Sequence, residues 1–123
     1  MRSLLAALLV LTGGAAAAEA PLPSPLEAGW QGKPVCEKLS ENAAVRTLRC
    51  TFAPGTGHER HFHAPHWGYI LTDATMRITN AQGTSVRQLK AGDWWWSDGF
   101  AWHEALNIGT TTGIYLIVEP KPR

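Results

Sequence analysis

The chain has 123 residues, of which 45% are hydrophobic and 17% charged, and its 11 Lys and Arg stand against 10 Asp and Glu. That length admits one domain with a small core. Arg2 is the only charged residue before position 19, so a chain cut there has 10 basic against 10 acidic groups; such a balance excludes nucleic acid and anionic membrane surfaces as partners, because both need an excess of Lys and Arg.

Met1 and Arg2 lead into an apolar run from Leu4 to Leu11, followed by Thr12, Gly13 and Gly14 and then by Ala15 to Ala18. A positive start, a short apolar centre and an A-x-A site describe a secretory signal peptide over residues 1–18, cut after Ala18. A cut after Ala20 would set Pro21 directly beyond the scissile bond. The competing reading is a buried apolar helix of the folded domain. The run is too short for a permanent anchor, and nothing after residue 20 reads as transmembrane. The mature protein is therefore expected to be periplasmic or secreted, with no membrane association once the leader is gone.

Residues 19–34 carry Pro21, Pro23, Pro25 and Pro34 among few apolar groups, which predicts an extended, proline-rich N-terminal arm rather than a helix. Cys36 and Cys50 are the only cysteines. In an exported protein an even pair reads first as a disulfide. The segments around them read as strands joined by Ser40, Glu41 and Asn42, so the two face each other across a hairpin, for a stabilisation of about 3 kcal/mol at most. Two free thiols or two soft metal ligands are the alternative.

From Val35 onward, short β-branched and aromatic runs alternate with turn signals about every eight to twelve residues, the rhythm of an all-β sandwich or barrel. Strands are predicted over 35–39, 45–52, 59–63, 67–72, 75–80, 85–90, 93–97, 103–107 and 112–119. Met76 and Ile78 alternate with Thr75, Arg77 and Thr79, so that strand has one wet face. The last strand, Ile114 to Val118, is apolar throughout and calls for cover on both sides. After the leader no stretch keeps a helical period, and there are no internal repeats.

The histidines are His58, His61, His63, His66 and His103. In an extended strand His61 and His63 project from one face, where two imidazoles can take adjacent corners of a metal's coordination shell. The turn at Ala64-Pro65 breaks the alternation, so parity does not place His66. His58 precedes the strand and is expected in solvent. Glu59 shares parity with His61 and His63, and an exposed strand-end carboxylate is its expected role.

The segment Gly55-x5-His61-x-His63-x2-His66-x6-Asp73 resembles the first cupin motif, in which a glycine, an HxH pair, a glutamate and a closing glycine are similarly spaced. Gly92-x10-His103-x3-Asn107 resembles the second, whose histidine supplies the remaining ligand. The resemblance covers most of residues 35–119 and implies a double-stranded β-helix, or jelly-roll barrel, over 35–120. It also implies one divalent metal ion on His61, His63 and His103. His66 stands where the family glutamate is expected, but the spacer after His63 is shorter than usual, so His66 reads as a fourth ligand or as a rim histidine that touches substrate. Asp73 replaces the closing glycine, a change Asp tolerates through the left-handed conformation. Asp98 and Phe100 replace a proline and a glycine of the second motif, which bears on the loop before His103.

Neutral imidazoles leave an ion its full double charge, so the open positions are expected to favour a small anionic ligand such as a carboxylate, an enolate or a thiolate. The ion itself, Zn, Mn, Fe, Cu or Ni, is left open by the ligand set. Trp94 and Trp96 face one side of a strand and Trp95 the other. Trp67, Tyr69, Trp96 and Trp102 are candidates to line an apolar pocket around the ion; alternatively these rings fill the core, or an exposed tryptophan face seats a homodimer partner. Two function classes follow: a metal-dependent enzyme, oxygenase-like, isomerase-like or hydrolytic, and a non-catalytic module that captures a small ligand or the metal.

Overall fold

A computed structural model of the chain describes residues 10–15 and 19–123; the leader expected over 1–18 lies, apart from 10–15, outside the described residues. Among the described residues no helix is long and apolar enough to cross a membrane. All regular structure among the described residues is β. The strands are β1 (Gly29–Trp30), β2 (Lys33–Pro34), β3 (Cys36–Glu41), β4 (Val45–Phe52), β5 (Gly57–His63), β6 (His66–Thr72), β7 (Ala74–Asn80), β8 (Gly83–Leu89), β9 (Trp94–Ser97), β10 (Phe100–Asn107) and β11 (Gly113–Pro120).

β3 to β11 form two antiparallel sheets, ordered β3-β4-β11-β6-β9 and β5-β10-β7-β8. They close on each other because each has one apolar face to bury. Leu48, Cys50 and Phe52 alternate with exposed Arg49 and Thr51 along β4. With Ile117 of β11 they meet Ala74 and Met76 of β7 and Ala105 of β10 in one core, which makes a jelly-roll barrel. Each large side chain that is fully buried there contributes about 1.5–3 kcal/mol. Cys36 and Cys50 sit opposite each other on β3 and β4 and form a disulfide, which is compatible with an oxidising compartment. β11 lies between β4 and β6, as its apolar run requires, and puts Ile117 and Glu119 inside. Arg46 meets that buried carboxylate with Nε and Nη2 on Oε2, at 2.8 and 2.7 Å.

The arm is not a plain lead-in. Gln31 and Gly32 take φ of 51° and 80°, the two left-handed residues of a tight hairpin turn, and join β1 to β2. Upstream, Pro25 and Ala28 are buried, and Phe62 N–H on the edge strand β5 donates to the Pro23 carbonyl at 3.2 Å. The arm thus covers an edge that would otherwise offer unpaired backbone groups.

Asp73 does not take the left-handed conformation expected of it, since Gln31 is the only non-glycine with positive φ among the described residues. Its Oδ1 accepts the Ala91 N–H at 2.8 Å instead, tying the β6–β7 turn to the β8–β9 turn by a side-chain bond. Asn107, at the end of the second motif, is fully buried. Its Nδ2 donates to the carbonyls of Phe52 and Thr111, and its Oδ1 accepts from Gly109 N–H, so it ties β4 to the loop before β11.

Candidate metal centre

The histidines belong to the four-stranded sheet and to the adjoining end of β6, and the pairing of β5 with β10 decides where they point. Ala105 pairs with His58, His103 with His61, and Phe100 with His63. β5 is one residue longer than β10 in the first interval, and β10 is one longer in the second; each excess is a β-bulge that resets the alternation of faces. The first bulge puts His58 on the inner face together with His61 and His63 and leaves Glu59 and Arg60 outside. The second puts both Phe100 and His103 inside and turns Trp102 outward. Gly99 precedes this strand at φ 100°, and a Cβ there would press on the His63 carbonyl oxygen. The turn that introduces β10 therefore needs its glycine.

His61 Nδ1 lies 2.6 Å from the Glu59 carbonyl oxygen and donates to it, which leaves the lone pair on Nε2. That nitrogen is 3.0 Å from Nε2 of His63 and 3.0 Å from Nε2 of His103. A single ring lone pair accepts one well-directed N–H, so one of the two contacts is left as opposed lone pairs, a conflict that a shared cation removes. Nitrogens held about 2.0–2.1 Å from one ion lie about 3 Å apart when at right angles, which fits the observed spacing. All three residues are buried and offer ligand atoms within 4.8 Å of one another. Burial pushes the imidazolium pKa of His61 down, that of His63 further, and that of His103 to about 3. The rings are therefore neutral near pH 7, as ligands must be. Nδ1 of His63 and of His103 are buried without a partner, and Phe100 stacks on the His103 ring at 5.1 Å between centroids.

His66 stands beside this group, with its ring centroid 4.6 Å from that of His63, but outside the set of three. Its Nδ1–H donates to the Ala64 carbonyl at 2.8 Å, and its Nε2 accepts a long bond, 3.4 Å, from Trp95 Nε1–H. That Nε2 lone pair is also the one a fourth ligand would use. His58 is corrected outright: it is 1% exposed, donates from Nε2 to the Pro25 carbonyl at 3.0 Å, and packs on His61 at 3.7 Å between centroids. Burial lowers its pKa to about 3. It is a packing residue held by the arm.

A cavity of about 480 Å³ opens beside the group, with His63, His66 and His103 in its wall. None of Trp67, Tyr69, Trp96 and Trp102 lines it. On β6 the inward residues are His66, Gly68 and Ile70, so Trp67 and Tyr69 face outward, stacked on each other. Trp96 is 52% exposed and donates from Nε1 to Asp98; Trp102 lies under the Arg60 guanidinium, 3.9 Å from its ring centroid. The rings in the wall are Trp94, Trp95, Phe100 and Tyr115. Trp95 packs where Gly68 leaves room, since a Cβ on Gly68 would collide with its indole. Burial raises the Tyr115 phenol above its ordinary range, so it stays a neutral O–H. Asn80, Ser85, Arg87 and Asp93 add polar groups to the wall. Period two along β8 marks Ser85, Arg87 and Leu89 as one face, and only the pairing with β7 shows that this face borders the cavity, where Ser85 and Arg87 stay exposed at its open side.

Among solved structures, the chain is similar to a cupin domain from Bordetella pertussis Tohama I, at 19% identity and a TM-score of 0.68 over 72% of this chain and 93% of that one. It is also similar to a polyketide cyclase from Streptomyces resistomycificus, at 19% identity and a TM-score of 0.58 over 80% and 75%. A third likeness is to a predicted oxalate decarboxylase from Thermotoga maritima, at 24% identity and a TM-score of 0.50 over 68% and 76%. No protein-family model and no curated protein matches the chain.

Proposed function

From the cupin fold, which these likenesses establish, we propose that the protein holds one divalent metal ion on His61, His63 and His103 and acts on a small organic anion in the adjoining cavity, after export to the periplasm or beyond. The convergence of three neutral imidazoles through two 3.0 Å contacts on His61, with His63 and His103 in a cavity wall, carries this reading. When bound, the ion supplies an undiminished double positive charge, which polarises a ligand oxygen or favours an ionised acid.

The chain supplies the rest. The Glu59 carbonyl fixes the His61 tautomer. Phe100 holds the plane of His103, and Trp95 orients His66 as a wall residue in reach of the ligand. The Tyr115 hydroxyl offers the cavity a neutral donor, and Ile70, Met76 and Ile78 keep its floor dry. The only carboxylate in the lining is Asp93, away from the three histidines in the turn before β9. That absence of a nearby base favours, as a second reading, a module that captures its ligand without turning it over.

Two measurements test the proposal. His61→Ala and His103→Ala each lower zinc affinity by more than about 100-fold, beyond the loss usual for residues that merely support ligands; retention of full affinity in either variant rejects the site. Metal analysis followed by oxygen consumption with a panel of small acids then separates the classes. Bound iron with turnover marks an oxygenase, and zinc with ligand binding but no turnover marks the capture module.

A further inference from the structure

The cavity has two chemically different ends. His63 and His103 close one end. On β7, Asn80 pairs with His103 and Met76 pairs with Arg87, so Arg87 lies four residues further along the strand, about 13 Å, and one strand beyond. Arg87 is the only basic side chain besides the histidines in the lining. It takes part in none of the ion pairs among the described residues. Between the two ends the wall carries Met76, Ile78 and Trp95, with the Ser85 hydroxyl beside Ile78.

We infer that the cavity is built for an elongated monocarboxylic acid whose carboxylate is held by the Arg87 guanidinium, whose apolar or aromatic body lies along Met76, Ile78 and Trp95, and whose oxygen donor reaches the histidine end. Only the last clause rests on the metal reading above. A planar guanidinium matches a carboxylate with two parallel hydrogen bonds, which an ammonium does not reproduce and an uncharged amide does not repay. Two acidic groups on adjacent carbons are too close together to engage both ends. Asp93 opposes the charge of Arg87 in the same lining, which sets a limit on the affinity and provides a control.

The test is calorimetry on the exported, cobalt-loaded and metal-free protein with three probes: 3-(3,4-dihydroxyphenyl)propanoate, its amide, and catechol. Wild type is expected to bind the acid at least about tenfold tighter than the amide. In Arg87→Gln the acid and the amide bind alike, while catechol affinity and the visible cobalt spectrum stay as in wild type. Arg87→Lys restores part of the preference, and Asp93→Asn strengthens the acid alone. An acid preference that survives Arg87→Gln overturns the inference, as does equal binding of acid and amide by wild type, or no binding of any probe. Should cobalt give no histidine-ligand spectrum while the Arg87-dependent preference persists in metal-free protein, the metal reading fails and this inference stands.

Discussion

β4 and β11 pair without interruption from Phe52↔Gly113 to Val45↔Pro120, whereas β5 and β10 shift register twice between Leu106 and Phe100. The unbroken ladder keeps strict alternation, and alternation buries Leu48, Cys50 and Phe52 while leaving Arg49 and Thr51 in water. The broken ladder gives up backbone regularity and in return collects His58, His61, His63 and His103 on the inner wall, with two ring nitrogens left unpartnered. One wall of the barrel keeps an unbroken ladder and the other gives up regularity to gather the histidines, so changes in each should report on different properties.

The contrast is broken most severely at Phe52. It is fully buried and stacks on Tyr115 at 5.3 Å, so Phe52→Ala should cost about 3–5 kcal/mol in urea unfolding. A loss under about 1 kcal/mol would place the stability elsewhere. Next is the staple on the same wall: Cys36 and Cys50 close a loop of separation 14, and their joint replacement by serine should cost about 3 kcal/mol. The zinc affinity of that variant is expected to stay within a few-fold of wild type, and a large fall would deny the division of labour between the two walls.

Gly68→Ala sharpens the comparison at the seam. The new methyl collides with the Trp95 indole, and displacing that ring breaks its bond to His66 at a cost of about 1–3 kcal/mol. Quenching or a spectral shift of tryptophan emission should accompany the loss; an unchanged emission spectrum would show that Trp95 has not moved. The last effect is graded with pH and belongs to the metal-free protein. His58 and His103 are held neutral in the fold, with pKa lowered to about 3, while in the unfolded chain they protonate near 6.5. The unfolded state therefore binds more protons below that pH. Stability is complete above about 6.5 and falls as pH drops from there towards 3, by about 1.4 kcal/mol per unit for each such histidine. Urea midpoints at pH 7.5, 6 and 5 measure the slope, and a flat series contradicts the buried neutral rings.

The strand rhythm, the Cys36–Cys50 pair, the HxH face of His61 and His63 and the opposition of Trp95 to Trp94 and Trp96 are all legible in the sequence. Each depends on nearby residues, on the period of a regular strand, or on a composition that allows only one partner. The failures share a different cause. Reasoning along a single strand puts His58 in solvent and Trp96 in the pocket. Trp67, Tyr69 and Trp102 are candidates because they stand next to the motifs, with no face assigned to them. For His58 and Trp102 the reason is specific: a bulge is a mismatch in length between two strands, so neither strand alone reveals it. Arg87 was missed because the inner face of β8 is defined only by the strand beside it.

Local periodicity and composition thus determined which segments extend, which cysteines pair and which imidazoles are available. Pairing across the sheet decided which side chains share the cavity, because the register between strands distant in sequence, rather than the alternation within one, sets the face that each residue presents.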